Sequence, residues 1–287
     1  MAVSRDVALY KRKNGLPTLD AGRERVLLAK VGAEAGEELA DYTESVFRAI
    51  LAVGRSYQNQ CGGVKSQVYE TIRTALAETP ALFPQRATVA CQGIEGAYSQ
   101  MACDSIFKSP TILYFDTFDH VFKAVESGMC QYGILPIENS TAGSVNAIYD
   151  LMIQHNFSIV RSVRLKVSHN LLAKHGTKLG DIREVFSHEQ AISQCADYLA
   201  GMKNIKVTMV ENTAVAARMV AQSDRTDVAA ISSRFCGEEY GLNLVQTNVQ
   251  DQDNNYTRFI CISKIPEIYP GADRTSLMMT LPHRPGS

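Results

Sequence analysis

From residue 88 to residue 263 the chain alternates short β-like runs with helical stretches, and this alternation most constrains what it can fold into. Strand patterns are read at 88–91, 111–115, 132–135, 159–167, 184–186, 206–210, 228–231 and 259–263. Helical patterns lie between them, at 97–107, at 117–126 with Thr117 as the cap, and at 145–154. Such a rhythm builds βαβ units and predicts a parallel-rich sheet.

Before this region the texture is helical only. Residues 23–39 are rich in Ala, Leu, Glu and Arg and are broken at Gly32 and Gly36. Asp41 or Thr43 can cap a second helix to about 58, where apolar residues at 46, 47, 50, 51 and 53 fit a 3.6-residue period. A third helix is predicted over 65–78, and Pro80 and Pro84 mark the boundary. A length of 287 residues suits roughly two domains. At the far end, Arg274 to Leu281 reads as a strand with no partner elements after it, as if a third domain were cut short.

Composition removes several function classes. There are 29 Lys+Arg against 30 Asp+Glu and no basic block, so no nucleic-acid partner is expected. No apolar run approaches the ~18 residues of a membrane span, and the N-terminus has no signal-peptide core, so a cytoplasmic chain without a membrane partner is expected. The seven cysteines are scattered, odd in number and set among apolar residues, which reads as buried free thiols in a reducing compartment. The six histidines show no ligand spacing, so no metal site is expected.

Four polar corners follow strand patterns. Gly93-Ile94-Glu95-Gly96-Ala97-Tyr98-Ser99 is a glycine turn opening a helix, without the spacing of a dinucleotide site. Glu138-Asn139-Ser140-Thr141 ends an apolar run and suits either a small polar ligand or simple helix capping. Ser187-His188 with Gln194, and Glu211-Asn212-Thr213, are similar corners. Asp253-Asn254-Asn255-Tyr256 leads through Thr257-Arg258 into the strand at Phe259.

Taken together and in this order, GxxGAYS, YGxLPIENSxxGS, SHxQxxxQC, ENTxxAA and NxTRF resemble the prephenate dehydratase family over residues 87–264. The resemblance implies an α/β, two-lobed domain like a small solute-binding protein of the periplasmic type at 86–265. Lobe one would be 86–166 plus 234–265, and lobe two 167–233. It implies the decarboxylating dehydration of prephenate to phenylpyruvate, with no cofactor because aromatisation drives the step. Thr257 would be the catalytic residue, acting as an oriented donor or relay because a threonine hydroxyl is a poor acid. Phe259 would wall the substrate ring. Glu138, Asn139, Ser140, Thr141, Ser187, Gln194, Asn212 and Thr213 would form a polar cradle, with Tyr98 and Ser99 at the first helix. Helix N-termini at Ala97, Thr141 and Thr213 would supply positive potential for the dianion. Arg258 would bind substrate or hold the loop.

The flanks resemble neighbours of that domain in a bifunctional enzyme. Lys11, Asn14-Gly15-Leu16-Pro17, Asp20, Arg23, Glu24 and Arg55-Ser56-Tyr57-Gln58 resemble an incomplete all-helical chorismate mutase domain, at 1–80. Its site would rest on Lys11, Asp20, Arg23, Glu24 and Gln58 and is expected to be inactive. Residues 272–287 resemble the first strand of an ACT regulatory domain. A homo-oligomer, dimer or tetramer, is expected for the full-length form. Two competing readings are arogenate dehydratase, on the same motifs, and a non-catalytic solute-binding module.

Overall fold

The computed structural model describes residues 2–61 and 67–276. The chain divides into two compact units, one ending at Thr74 and one beginning at Ala75. In the first, α1 (Ala2–Lys13) and α2 (Ala21–Ala35) both pack on the long helix α3 (Ala40–Cys61). Asp20 starts α2 by accepting the Arg23 amide at 3.0 Å, and Gly36 at φ +79° ends it. Leu28 and Gly32 are buried. No residue of α3 is buried, although its Tyr42, Val46, Ile50 and Val53 follow helical spacing. The boundary between the units falls within α4 (Gln67–Glu78).

The second unit holds two mixed sheets. In chain order its elements are β1 (Thr88–Gln92), α5 (Tyr98–Ile106), β2 (Thr111–Phe115), α6 (Phe118–Glu126), β3 (Tyr132–Asn139), β4 (Gly143–Ser144), α7 (Asn146–Gln154) and β5 (Ser158–Lys166). There follow β6 (Asn170–Ala173), β7 (Glu184–Ser187), α8 (Glu189–Ser193), α9 (Ala196–Gly201), β8 (Lys206–Met209), α10 (Thr213–Gln222), β9 (Val228–Ser232), α11 (Arg234–Glu239), β10 (Asn243–Gln246) and β11 (Tyr256–Ser263). The first sheet has the order β2-β1-β3-β11-β5, with β4 on β3; the second has the order β10-β6-β9-β7-β8. The chain therefore leaves the first lobe after β5 and returns to it at β11.

The pleat of β11 sorts the first core. Phe259 and Cys261 face Ala102, Cys103 and Phe107 of the α5 side, while Ile260 and Ile262 face Val121, Phe122 and Ile148 on the α6 and α7 side. Gly133 lets α6 come down on β3: a Cβ there would lie 2.9 Å from Val121 and 3.0 Å from Val125. The second lobe buries Leu171 and Ile231 on one face, and Leu172 with Ala216, Ala217 and Val220 on the other.

Several expectations change. A parallel-rich sheet was expected, but β11 runs antiparallel to both β3 and β5, and β6 antiparallel to β9 and β10. In each sheet a single strand of the main path, β11 or β6, runs against its neighbours, while the other four point one way. Strands β6 and β10 carry only four residues each, too few to show a period in sequence. Because β10 hydrogen-bonds to β6, the second lobe runs through Gln246, beyond the expected boundary at 233. Strand β3 continues through Pro136 to Asn139, with Ile137 bulged out of the ladder between Pro136, opposite Phe259, and Glu138, opposite Arg258. Arg274 to Ser276 form no regular element, and the rest of the expected ACT strand lies outside the described residues.

Candidate active site

Adjacent strands β3 and β11 set Asn139 directly beside Thr257. The Asn139 Nδ2 donates to Thr257 Oγ1 at 2.9 Å and to Asn255 Oδ1 at 2.8 Å. Its Oδ1 accepts from the backbone amides of Thr141 and Ala142 at 3.0 and 2.9 Å, and from Thr141 Oγ1 at 2.7 Å. Those backbone amides can only donate, so they fix which end of the Asn139 amide faces Thr257. Thr257 Oγ1 is thereby an acceptor toward Asn139, and its own proton is left to point elsewhere.

The second lobe reaches this pair through Gln194, the residue that closes α8. Its Nε2 donates to Thr141 Oγ1 at 2.8 Å, and its Oε1 accepts from Asn255 Nδ2 at 2.9 Å. Ser140 ties the turn to the strand entry: its Oγ donates to the Asn254 carbonyl and accepts the Tyr256 amide. Other contacts join the lobes nearby. Tyr98 Oη donates to the Ser168 carbonyl at 3.0 Å, on the connection between β5 and β6. Burial pushes the Tyr98 phenol upward, so it stays a neutral donor. Cys236 Sγ contacts the Gly96 carbonyl at 3.1 Å, and Tyr240 Oη donates to the Glu95 carbonyl at 2.5 Å. Gly96 has φ +88° and lies so close to Cys236 that a Cβ would stand 3.0 Å from its sulfur.

The structure thus brings together Asn139, Ser140, Thr141, Gln194 and Thr257, with Tyr98 at the lobe junction. Other expected residues do different work. Phe259 is 3% exposed and packs in the core beneath Thr257, so it is no wall for a ligand ring. Ser99 and Ser187 are buried and spend their hydroxyls on the carbonyls of Gln92 and Ile231. Asn212 caps α10 by accepting the Val215 amide at 2.8 Å, and Thr213 is the first residue of that helix. Arg258 pairs with Glu138 at 2.9 Å. By the strand alternation both point to the sheet face opposite Thr257, and with Asn139, Ser140, Arg164 and Tyr256 they line a groove of about 320 Å³. No helix begins at Thr141, which sits in the turn between β3 and β4; α7 starts at Asn146. Of the three helix N-termini expected to favour an anion, those of α5 and α10 exist.

Two residues of the network were given no site role from the sequence. Asn255 is buried, and although it opens the NxTRF motif, it lies in a polar run that reads as loop before the strand. His169 is buried, and its Nε2 lies 2.8 Å from Gln194 Oε1. It follows a strand pattern with no motif spacing around it, so nothing local marks it.

In the helical unit, Lys11 Nζ donates to the Thr18 carbonyl at 2.6 Å, and Asp20 is spent as a cap, receiving the Arg23 amide. Glu24 pairs with Arg55, and Gln58 has its Oε1 buried.

The prephenate dehydratase family model matches residues 89–267, and the chorismate mutase type II model matches residues 1–59. The chain belongs to the prephenate dehydratase family. It is 34% identical, over all of its length and 81% of the relative's, to the bifunctional chorismate mutase/prephenate dehydratase of Neisseria gonorrhoeae. It is 40% identical over 70% of its length to arogenate dehydratase/prephenate dehydratase 2, chloroplastic, of Arabidopsis thaliana, of which it spans 53%. The chain thus covers about half the length of the plant relatives it matches. Among solved structures, the prephenate dehydratase of Arthrobacter aurescens in complex with L-Phe aligns with a TM-score of 0.59 at 26% identity. That alignment covers 66% of this chain and 63% of the other.

Proposed function

We propose that this chain converts prephenate to phenylpyruvate, releasing CO2 and water. The observation that carries the reading is the Asn139–Thr257 pair, braced from the opposite lobe by Gln194. In the reaction the bond from the ring to its carboxylate breaks and its electron pair enters the ring. The ring C–O bond breaks on the other side, and the departing hydroxide takes up a proton as it becomes water. Thr257 supplies an oriented O–H at that oxygen, because Asn139 already donates to its lone pair. The hydroxyl is too weak an acid to hold a full negative charge, so it relays a proton that solvent replaces. The N-termini of α5 and α10 favour the substrate's carboxylates. Arg258 is held by Glu138 in the groove that Asn139 and Ser140 also line.

The plant relatives' names give a second reading, in which arogenate is turned over by the same groups. Parallel assays of the purified chain decide: phenylpyruvate from prephenate supports the first reading, and phenylalanine formed faster from arogenate supports the second.

We also propose that two copies associate through the helical unit. Tyr42, Val46, Ile50 and Val53 of α3 are each more than half exposed along one stripe, which favours burial against a second copy. Seven free thiols, six of them buried, support a reducing, cytoplasmic setting. No helix among the described residues is long and apolar enough to cross a membrane.

A further inference from the structure

His169 sits where the chain passes from β5 into β6, between the two lobes, and is 3% exposed. Its backbone is tied to the returning connection on both sides: its amide donates to Gln250 Oε1 at 2.9 Å, and its carbonyl accepts the Val249 amide at 2.8 Å. Its ring is held at one nitrogen only. Nε2 lies 2.8 Å from Gln194 Oε1, while Nδ1 is buried with no hydrogen-bond partner among the described residues.

The protonation of that ring follows from the network. The amides of Thr141 and Ala142 must donate, so Asn139 presents Oδ1 to them and Nδ2 to Asn255. Asn255 therefore presents Oδ1 to Asn139 and Nδ2 to Gln194, and Gln194 receives it on Oε1. The same oxygen faces His169, so Nε2 must carry a proton. With Nδ1 buried and unpartnered, a second proton there has nowhere to bond. Burial accordingly lowers the pKa of the ring, against the opposing effect of Gln194.

We infer that His169, as the neutral Nε2–H imidazole, is a positioning residue that holds Gln194 in the orientation by which the second lobe braces Thr141 and Asn139 beside Thr257. The inference rests on the dehydratase reading for its kinetic consequence, though not for the hydrogen bond itself. Gln194 Oε1 takes two donors, from His169 and Asn255, and this leaves Gln194 Nε2 no choice but to donate across to Thr141. Removing the imidazole donor frees the glutamine amide to rotate and loosens the bridge, with no group removed from contact with the substrate.

The test uses the whole chain and two readouts. The first is the imidazole nitrogen NMR spectrum at neutral pH, with His169 assigned by the signal that His169→Phe deletes. The expected signal is Nε2-protonated with bare Nδ1, and it shifts in Gln194→Ala. A ring protonated at Nδ1, or one insensitive to Gln194→Ala, overturns the proposal. The second readout is prephenate kinetics with thermal stability measured beside it. His169→Phe is expected to lower kcat by roughly tenfold, the scale of one hydrogen bond, with KM little changed. His169→Gln, which can place a donor nitrogen near the lost Nε2, is expected to recover most of that loss. Unchanged kcat in a folded His169→Phe chain overturns the positioning role, as does an equal loss in His169→Gln. If the parent chain turns over no prephenate, the dehydratase reading fails by itself, and the spectrum still decides whether His169 holds Gln194.

Discussion

Asn139 uses both ends of its side-chain amide, and the direction of each hydrogen bond matters for the hydroxyl beside it. Asn139→Asp keeps an acceptor for the Thr141 and Ala142 amides but removes the donor to Thr257. The Thr257 proton then turns toward the new carboxylate and away from the leaving oxygen. Activity is expected to fall by about a hundredfold or more, with the circular dichroism spectrum unchanged. Turnover within a few-fold of the parent would contradict the orientation argument. A second residue-scale prediction concerns Glu184, whose side-chain bonds run to Lys206, Thr208 and Arg225 and not into the site's network. These three all bond its carboxylate and hold its pKa down to about 2. The folded value lies below the unfolded value of about 4.3, so the stabilisation is present above that pH and is lost as pH falls toward 2. Glu184→Gln is expected to unfold at lower urea than the parent at pH 7, with the gap closing in acid. A gap that stays constant down to pH 2 would refute the assignment.

At the scale of elements, glycine at 133 is a packing requirement rather than a turn device. Gly133→Ala pushes a methyl into Val121, Val125 and Ile262, and is expected to cost about 1–3 kcal/mol in urea unfolding. An unchanged midpoint would mean α6 shifts freely on β3. Elements of this kind were legible in sequence where they are long and apolar. The runs at β1 and β9 lie within a residue of expectation because their burial is continuous, and the half-exposed β2 is marked instead by its run of Thr, Ile, Leu, Tyr and Phe. Strands β6 and β10 were not, since four residues carry no period and their pairing is set by a distant crossover. The same limit applied to the site. The motifs held Asn139, Thr141, Gln194 and Thr257, but a motif does not show which face of a pleated strand a residue occupies. Phe259 and Arg258 follow Thr257 directly, yet one goes into the core and the other to the opposite face. The bulge at Ile137 that sets Asn139 opposite Thr257 is a property of the paired strands, not of either one. His169 was invisible because its role depends on a side chain 25 residues away.

At the scale of the molecule, the catalytic unit consists of two lobes joined by the β5–β6 and β10–β11 connections, with the polar network lying where they meet. The helical unit presents a different face. Its exposed α3 stripe predicts a dimer in sedimentation, and Val46→Asp with Ile50→Asp is expected to give monomers; a monomeric parent would contradict the pairing. The central claim concerns the lobe junction, and it is tested most directly by phenylpyruvate formation from prephenate in the parent chain, Thr257→Ser and Thr257→Ala. The account predicts turnover in the parent, a reduced but measurable rate in Thr257→Ser, which keeps the hydroxyl, and a loss of at least about a hundredfold in folded Thr257→Ala. Turnover in Thr257→Ala close to that of the parent would contradict it.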